Sequence, residues 1–410
     1  MKIKWNDSVK TIKSGEDIVL INYRNDVVMK IDQNTHELLA SLEKYEDIEK
    51  CISRWKGDYF EDTKMFRSYI EDLIQAGYIL TGESDTAFQL YYKVYYTITD
   101  ECNLGCPTCY LNAQKVKKGQ KEINKKELSS HLQKVTNIFG PLQELIITGG
   151  EPLLYFDEIY YALKYLQAGN NKIPNITILT NGILLDDEKI KKLRGLSNNP
   201  KIQISLDSIN DGVNSSLREE GHLHKINKLI DKLQETEYSN FEIVPTITKT
   251  NIKYLPQMVD YFAKRNIDFH FSLLMPVGRG NKNVDQLLPD NARLLEFINE
   301  ICSEDPSNFN KLSLHQCGAG QSIFNIDASG DIYPCHLLYD EDFKMGNIDD
   351  FFIKKEVNKN FTDVVETKEE CRQCKYYPLC MGGCSAARYY NEGVNPYCKF
   401  TKEYLNKLII

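Results

Sequence analysis

Cys102-Asn103-Leu104-Gly105-Cys106-Pro107-Thr108-Cys109 places three thiols within eight residues. They come directly after Tyr91–Thr99, whose alternating Tyr, Val and Ile suit a pleated, half-buried strand. An iron–sulfur cube ordinarily takes four cysteine ligands. Three spaced this closely can hold the cube by three irons and leave the fourth iron open to a substrate or cofactor. A zinc knuckle is the alternative, because C-x2-C also suits tetrahedral zinc.

With 410 residues the chain exceeds one comfortable core, so two or three domains are expected. A net charge of −8 argues against nucleic acid as the main partner, since phosphate binding needs a basic footprint. No run approaches the ~20 apolar residues of a membrane span, and Met1–Asp7 lacks the apolar core of a signal peptide. The protein is therefore expected in the cytoplasm, with no membrane partner. Twelve cysteines in that setting point to metal rather than disulfides, because cytosolic thiols stay reduced. Three sit at 102–109 and seven between Cys317 and Cys398. The other two, Cys51 and Cys302, fall on apolar helical faces and read as buried structural thiols.

Residues 1–80 read as a small α+β unit. Ile18–Tyr23 and Val27–Ile31 form a hairpin around Arg24-Asn25-Asp26. Three helical patterns follow. The first carries Leu38, Leu39 and Leu42 behind a cap at Asp32 or Asn34, the second is Ile48–Trp55, and the third runs from Phe66 to Ile74 and stops at Gly77. Residues 81–89 read as a linker.

From residue 90 to about 280, short apolar runs alternate with amphipathic stretches. Strands are expected at Tyr91–Thr99, Glu144–Thr148, Ile176–Thr180, Lys201–Leu206, Phe241–Thr246 and Asp268–Leu273. Helices between them include Glu127–Phe139, Asp157–Gln167 and Leu255–Ala263. Repeated β–α units mean a parallel α/β sheet with right-handed crossovers, whose active residues gather at the carboxyl ends of strands. Thr148-Gly149-Gly150-Glu151-Pro152 ends the second strand, where glycines permit close backbone approach and Glu151 can accept hydrogen bonds from an ammonium group. Thr180-Asn181-Gly182 ends the third, Ser205-Leu206-Asp207-Ser208 the fourth, and Met275–Gly280 the sixth.

Asn291–Cys302 is an amphipathic helix leading into the tail. There Cys317 is followed after twelve residues by Gly330, and after four more by Cys335, with Ser329-Gly330 turning a hairpin between Ile323–Ile326 and Asp331–Tyr333. Then come Cys371-x2-Cys374-x5-Cys380-x3-Cys384 and, after a gap, Cys398. One or two zinc ribbons are the alternative for this tail.

C-x3-C-x2-C followed by these strand ends resembles the radical S-adenosylmethionine (SAM) superfamily, and the tail is similar to its SPASM extension or the shortened Twitch form. The hairpin with three helices resembles the winged-helix RiPP recognition element (RiPPs being ribosomally made, modified peptides), a DNA-binding winged helix being disfavoured by 12 basic against 15 acidic residues over 1–80. The resemblance implies a partial (β/α)6 barrel over 90–305, a leader-binding module over 1–80 and an auxiliary iron–sulfur domain over 306–410. It implies that Cys102, Cys106 and Cys109 hold a 4Fe-4S cluster whose open iron is chelated by SAM. Gly149, Gly150, Glu151, Thr180, Asn181, Ser205, Asp207 and Arg218 then line the SAM pocket, Arg218 standing where relatives place a carboxylate-pairing arginine. Cys371, Cys374, Cys380 and Cys398 would complete one auxiliary cluster, and Cys317, Cys335 and Cys384 would hold another with one iron open. A single auxiliary cluster would leave some of these thiols free. The nearest class is the sactisynthases, which join a cysteine sulfur of a precursor peptide to the α-carbon of another residue. The expected partners are a precursor with a leader segment and an electron donor such as a flavodoxin or ferredoxin. The other products in view are a carbon–carbon link, an epimer or formylglycine, and the reading from another class is a zinc-stabilised adaptor without chemistry.

Overall fold

The strand before the cysteines, Tyr92–Thr97, lies inside an eight-stranded sheet of the described residues, with a parallel neighbour on either side. Across the sheet the order is Phe241–Val244, Lys201–Ser205, Asn175–Thr180, Leu142–Thr148, Tyr92–Thr97, Ile323–Asp327, Asp331–Tyr333 and Gly346–Asn347. The first six are mutually parallel, and each of the last two pairs antiparallel with the strand before it. Beyond Phe241–Val244 the backbone continues as Thr246–Ile247, which pairs in parallel with Ser272–Leu273, while Ile243 bridges to Phe269. Helices Lys125–Phe139, Phe156–Ala168, Asp187–Arg194, His222–Glu235 and Leu255–Lys264 alternate with these strands. Their buried faces carry Leu132, Val135, Ile159, Leu163, Ile226, Leu229 and Phe262, so each helix closes one crossover over the apolar sheet.

This computed structural model describes residues 1–6, 9–14, 17–22, 27–44, 46–56, 62–75, 77–82, 92–140, 142–169, 175–305, 308, 311–312, 317–350 and 367–409. They fall into two units. One comprises Met1–Gln89, Thr367–Gly383 and Thr401–Ile410, and the other Leu90–Glu366 and Cys384–Phe400. That partition differs from the boundaries drawn on sequence. The tail strand Ile323–Asp327 is part of the central sheet, because Tyr92–Thr97 offers it an unpaired edge and Thr97 donates its hydroxyl to buried Asn325 at 2.7 Å. No helix among the described residues is long and apolar enough to cross a membrane.

In the first unit, Asp17–Asn22 and Val27–Asp32 form the expected hairpin, joined by a third antiparallel strand, Lys10–Ser14. The turn Arg24-Asn25-Asp26 lies outside the described residues. A second small sheet orders Glu46–Asp47, Lys2–Trp5 and Ile79–Thr81, so Thr81 belongs to a strand; residues 83–89 of the expected linker lie outside the described residues. Helix Gln33–Ala40 is capped by Asp32, which accepts the Thr35 N–H at 2.8 Å. Helices Ile48–Trp55 and Thr63–Gln75 complete a core of Leu39, Leu42, Cys51, Trp55, Ile70 and Leu73. Cys51 is fully buried there, whereas Cys302 is only half-buried on Asn291–Glu304.

Candidate active site and metal centres

The site is assembled at the carboxyl ends of the parallel strands. Glu101–Cys102 pairs with Gln114–Lys115, and this two-stranded clip pins both ends of the cysteine loop. Cys102 and Cys106 lie in one buried cluster with Leu104 and Ala113, and half-buried Cys109 packs against it. Each sulfur faces an N–H donor. Cys102 Sγ accepts the Leu104 amide at 3.4 Å and Asn181 Nδ2 at 3.8 Å, Cys109 Sγ accepts the Ala113 amide at 3.5 Å, and Cys106 Sγ faces Arg218 Nη1 at 3.8 Å. Burial pushes the Cys102 thiol up to about 12 and raises Cys106 as well. An apolar wall of this kind releases thiolates only to a bound cation. Three thiols ringed by N–H donors fit a cluster that takes one thiolate on each of three irons. Among the described residues no three His, Cys, Asp or Glu side chains are arranged to hold a single metal ion.

Gly149 and Gly150 are required by the protein's own backbone. A Cβ on Gly150 would stand 2.1 Å from the Glu101 carbonyl oxygen and one on Gly149 2.5 Å from that of Thr99. In their absence the Gly150 and Glu151 amides donate to those same carbonyls at 2.8 Å, tying the second strand end to the root of the cysteine loop. Glu151 is fully buried. Its carboxylate accepts from Thr180 Oγ1 at 2.8 Å, the Asn181 amide at 2.8 Å and the Leu153 amide at 3.0 Å. Burial lifts its pKa to about 7, and those donors oppose the rise. Glu151 is thus a clasp between the second and third strand ends. Asn181 carries the clasp onward by donating to Asn103 Oδ1 at 2.7 Å.

Asp207 and Arg218 form a bidentate pair, with Nε to Oδ2 at 2.6 Å and Nη2 to Oδ1 at 3.1 Å. Asp207 is fully buried and also accepts the Thr246 amide at 2.9 Å. The carboxylate placed by resemblance at the SAM pocket is paired with the guanidinium, because a buried anion needs its lone pairs filled. Burial works against the charge of Arg218, and Asp207 and Cys106 together outweigh it. Ser205 is half-buried and makes no side-chain hydrogen bond among the described residues. The Met275–Gly280 loop grips the cysteine loop from the other side. Arg279 donates through Nε to the Cys106 carbonyl at 2.9 Å and through Nη1 to the Ala113 carbonyl at 2.7 Å, and its amide donates to the Cys109 carbonyl at 2.8 Å.

Sequence reasoning missed two supporting groups. His222 is buried, with Nε2 donating to the Asn181 carbonyl at 3.0 Å, which fixes the tautomer and leaves Nδ1 to accept from Asn214 Nδ2 at 3.1 Å. Burial, and after it Arg218, holds His222 down at about 4, so it is neutral. Glu219 Oε1 accepts the Gly105 amide at 2.6 Å and Lys115 Nζ at 2.8 Å. Neither lies in a recognisable motif; a histidine early in a helix and a glutamate beside an arginine carry no signal by spacing.

In the tail, Cys317, Cys335 and Cys384 are drawn into one cluster with Val277, Ala319 and Ala386. Burial raises the Cys335 and Cys384 thiols, and the nearness of Cys317 adds to both. His336 stacks on Tyr95 at 3.9 Å and meets Tyr110, the residue after Cys109, edge-on at 5.3 Å. Cys371, Cys374 and Cys380 belong to the first unit, and Cys398 to the second.

Residues 96–262 match the radical SAM superfamily, and residues 317–375 match the SPASM iron–sulfur cluster-binding domain. The chain carries a radical SAM domain and a SPASM domain, which together support a radical SAM enzyme. It is 25% identical over 343 residues to a cysteine-type anaerobic sulfatase-maturating enzyme of Clostridium perfringens (74% of this chain, 92% of that one). It is 26% identical over 330 residues to the mycofactocin maturase MftC of Mycolicibacterium smegmatis (73% and 81%). Its fold is similar to that of Streptococcus suis SuiB bound to precursor peptide SuiA, with a TM-score of 0.59 at 17% identity, covering 97% of this chain and 98% of SuiB. The cofactors of this radical SAM enzyme are an iron–sulfur cluster with SAM and iron–sulfur binding in the cysteine-rich tail.

Proposed function

We propose that this radical SAM enzyme is a sactisynthase, forming a thioether between a cysteine sulfur and an α-carbon of a ribosomally made, bacteriocin-like precursor of the sporulation killing factor type. The observation that carries the reading is the second three-thiol cluster, Cys317, Cys335 and Cys384, in the same unit as the Cys102, Cys106 and Cys109 cluster. A three-cysteine set leaves a cluster position free for a substrate thiolate, which suits sulfur chemistry. The names of the relatives, a sulfatase-maturating enzyme and a mycofactocin maturase, support a peptide substrate.

When bound on Cys102, Cys106 and Cys109, a cluster with SAM would supply a carbon radical that takes an α-hydrogen from the peptide; closing the carbon–sulfur bond would release the thiol proton and one electron, which a cluster on Cys317, Cys335 and Cys384 would accept. The protein's own residues do the rest of the positioning. The Gly149–Glu151 stitch and the Arg279 grip hold the cysteine loop from two sides, Asp207 aims Arg218 across Cys106, and half-buried Ser205 leaves a hydroxyl for the cofactor. The alternating strands are read as a partial (β/α)6 barrel. Residues 1–80 are read as a RiPP recognition element that takes a leader by strand addition. In the cell, the electron would come from a flavodoxin or ferredoxin.

Mass spectrometry of treated precursor tests the assignment. A thioether removes two hydrogens per link and leaves the cysteine unalkylatable. An unchanged mass with inverted stereochemistry, a carbon–carbon link with free thiol, or formylglycine would each overturn the thioether reading.

A further inference from the structure

Gln114–Lys126 carries six lysines (115, 117, 118, 121, 125 and 126) and one glutamate, a net charge of +5 in a chain of net −8. All six lysines are exposed. The stretch is joined directly to the cysteine loop: Lys115 pairs in register with Cys102, and the Val116 amide donates to the Cys102 carbonyl at 2.8 Å. It is also held in place. The Gln120 amide donates to Glu101 Oε2 at 2.9 Å, the Lys121 amide to the Tyr155 hydroxyl at 2.9 Å, and Lys121 Nζ pairs with Asp100 at 2.5 Å. Lys115 is tied to Glu219.

The remaining four lysines are not neutralised by the fold. Lys117, Lys118, Lys125 and Lys126 form no ion pair among the described residues. Lys125 and Lys126 occupy the first turn of Lys125–Phe139, where the helix macrodipole disfavours cations. Lys125 Nζ lies 4.9 Å over the ring of Tyr161, which is 38% exposed, and Tyr165 on the same helix is 53% exposed. Cations anchored in the bend after Gln114–Lys115 and on the first turn of the following helix, beside exposed tyrosines, form the kind of charged surface that steers an oppositely charged protein partner. The chain's overall net charge of −8 disfavours nucleic acid as the partner.

We propose that Lys117, Lys118, Lys125 and Lys126, with Tyr161, form the docking surface for an acidic one-electron carrier protein. The surface rests on the radical SAM reading above and assigns it an electron entry port. One electron leaves the carrier, which is oxidised by one unit, and enters the cluster held by Cys102, Cys106 and Cys109, which is reduced by one unit; no atom or proton crosses the interface. The path inward is the hydrogen bond from Val116 to Cys102.

The test compares the reconstituted wild-type enzyme with a quadruple variant, Lys117→Glu, Lys118→Glu, Lys125→Glu and Lys126→Glu. Flavodoxin is the probe. Calorimetry gives its affinity at low and high salt, and 5′-deoxyadenosine release is timed with flavodoxin hydroquinone or with dithionite as reductant. The reversal should weaken flavodoxin binding at least about tenfold and slow the flavodoxin-driven reaction to match. The dithionite-driven rate should be unchanged, and wild-type affinity should fall steeply with salt while the variant's should not. The neutral quadruple Lys→Gln variant should fall between the two, and serves as the readout if the reversed charges unfold the helix. Unchanged flavodoxin affinity and rate would overturn the proposal. So would tighter wild-type binding of an RNA oligomer or anionic vesicles than of flavodoxin, or loss of precursor binding in place of flavodoxin binding. A wild-type enzyme releasing no 5′-deoxyadenosine even with dithionite overturns the radical reading, and the port falls with it.

Discussion

Asp207→Asn should be one of the most damaging single-atom changes in the second unit. The carboxylate is fully exchanged for protein contacts: Arg218 takes both oxygens at 2.6 and 3.1 Å, and the Thr246 amide shares one at 2.9 Å. Side-chain exposure is 0% for Asp207 and 12% for Arg218, so solvent does little to screen the pair. An amide keeps the Thr246 contact but strands a buried guanidinium, and breaking such a pair costs about 3–5 kcal/mol. In a unit of this size that corresponds to a fall in melting temperature of roughly 6–12 °C. Differential scanning calorimetry of apoprotein measures it without interference from the clusters. The double variant Asp207→Leu with Arg218→Met should recover much of the loss while still failing to release 5′-deoxyadenosine, because it restores packing but not the cation beside Cys106. A fall below about 1 kcal/mol in Asp207→Asn would refute the reasoning, since it would mean the pair is solvated.

Replacing Cys102, Cys106 or Cys109 by Ala should reduce 5′-deoxyadenosine formation to background, as measured by chromatography. Cys335→Ala should spare that reaction and abolish the two-hydrogen mass loss of the precursor. Gly150→Ala should lower apoprotein stability by about 1–3 kcal/mol in urea titration, because the new methyl meets the Glu101 carbonyl at 2.1 Å. Glu151 titrates at about 7 in the fold against 4.5 in a free chain, so the folded state binds the extra proton. Its contribution to stability is complete below pH 4.5 and is lost as pH rises through about 7, by about 3 kcal/mol in all. Glu151→Gln should remove that component from the pH–stability curve, and an unchanged curve would place the carboxylate in solvent.

The parallel core was legible because its strands are continuous apolar runs that end at chemically marked residues. The helix Ile48–Trp55 and the Asp32 cap were equally plain, for their periodicity and capping signals are local. Lys10–Ser14, Lys2–Trp5 and Ile79–Thr81 were not, since short strands paired over long separations carry no periodic signal. The tail strand Ile323–Asp327 was found, but its place beside Tyr92–Thr97 depends on which edge is vacant, a property of the assembled sheet. At the site, residue identities were legible and their duties were not. Glu151 and Asp207 are marked as chemical by their motifs, yet zero exposure turns them inward to Thr180, Asn181 and Arg218. Removing residues 1–80 would also strip Thr367–Gly383 and Thr401–Ile410 of their unit, which makes point changes the better probe of leader binding.

Electron paramagnetic resonance of the anaerobically reconstituted, reduced protein, recorded before and after adding SAM, addresses the central claim most directly. The account predicts a cluster signal whose g-values shift on adding SAM and which is absent from Cys106→Ala. A signal indifferent to SAM, or a colourless protein carrying one zinc per chain, would contradict it.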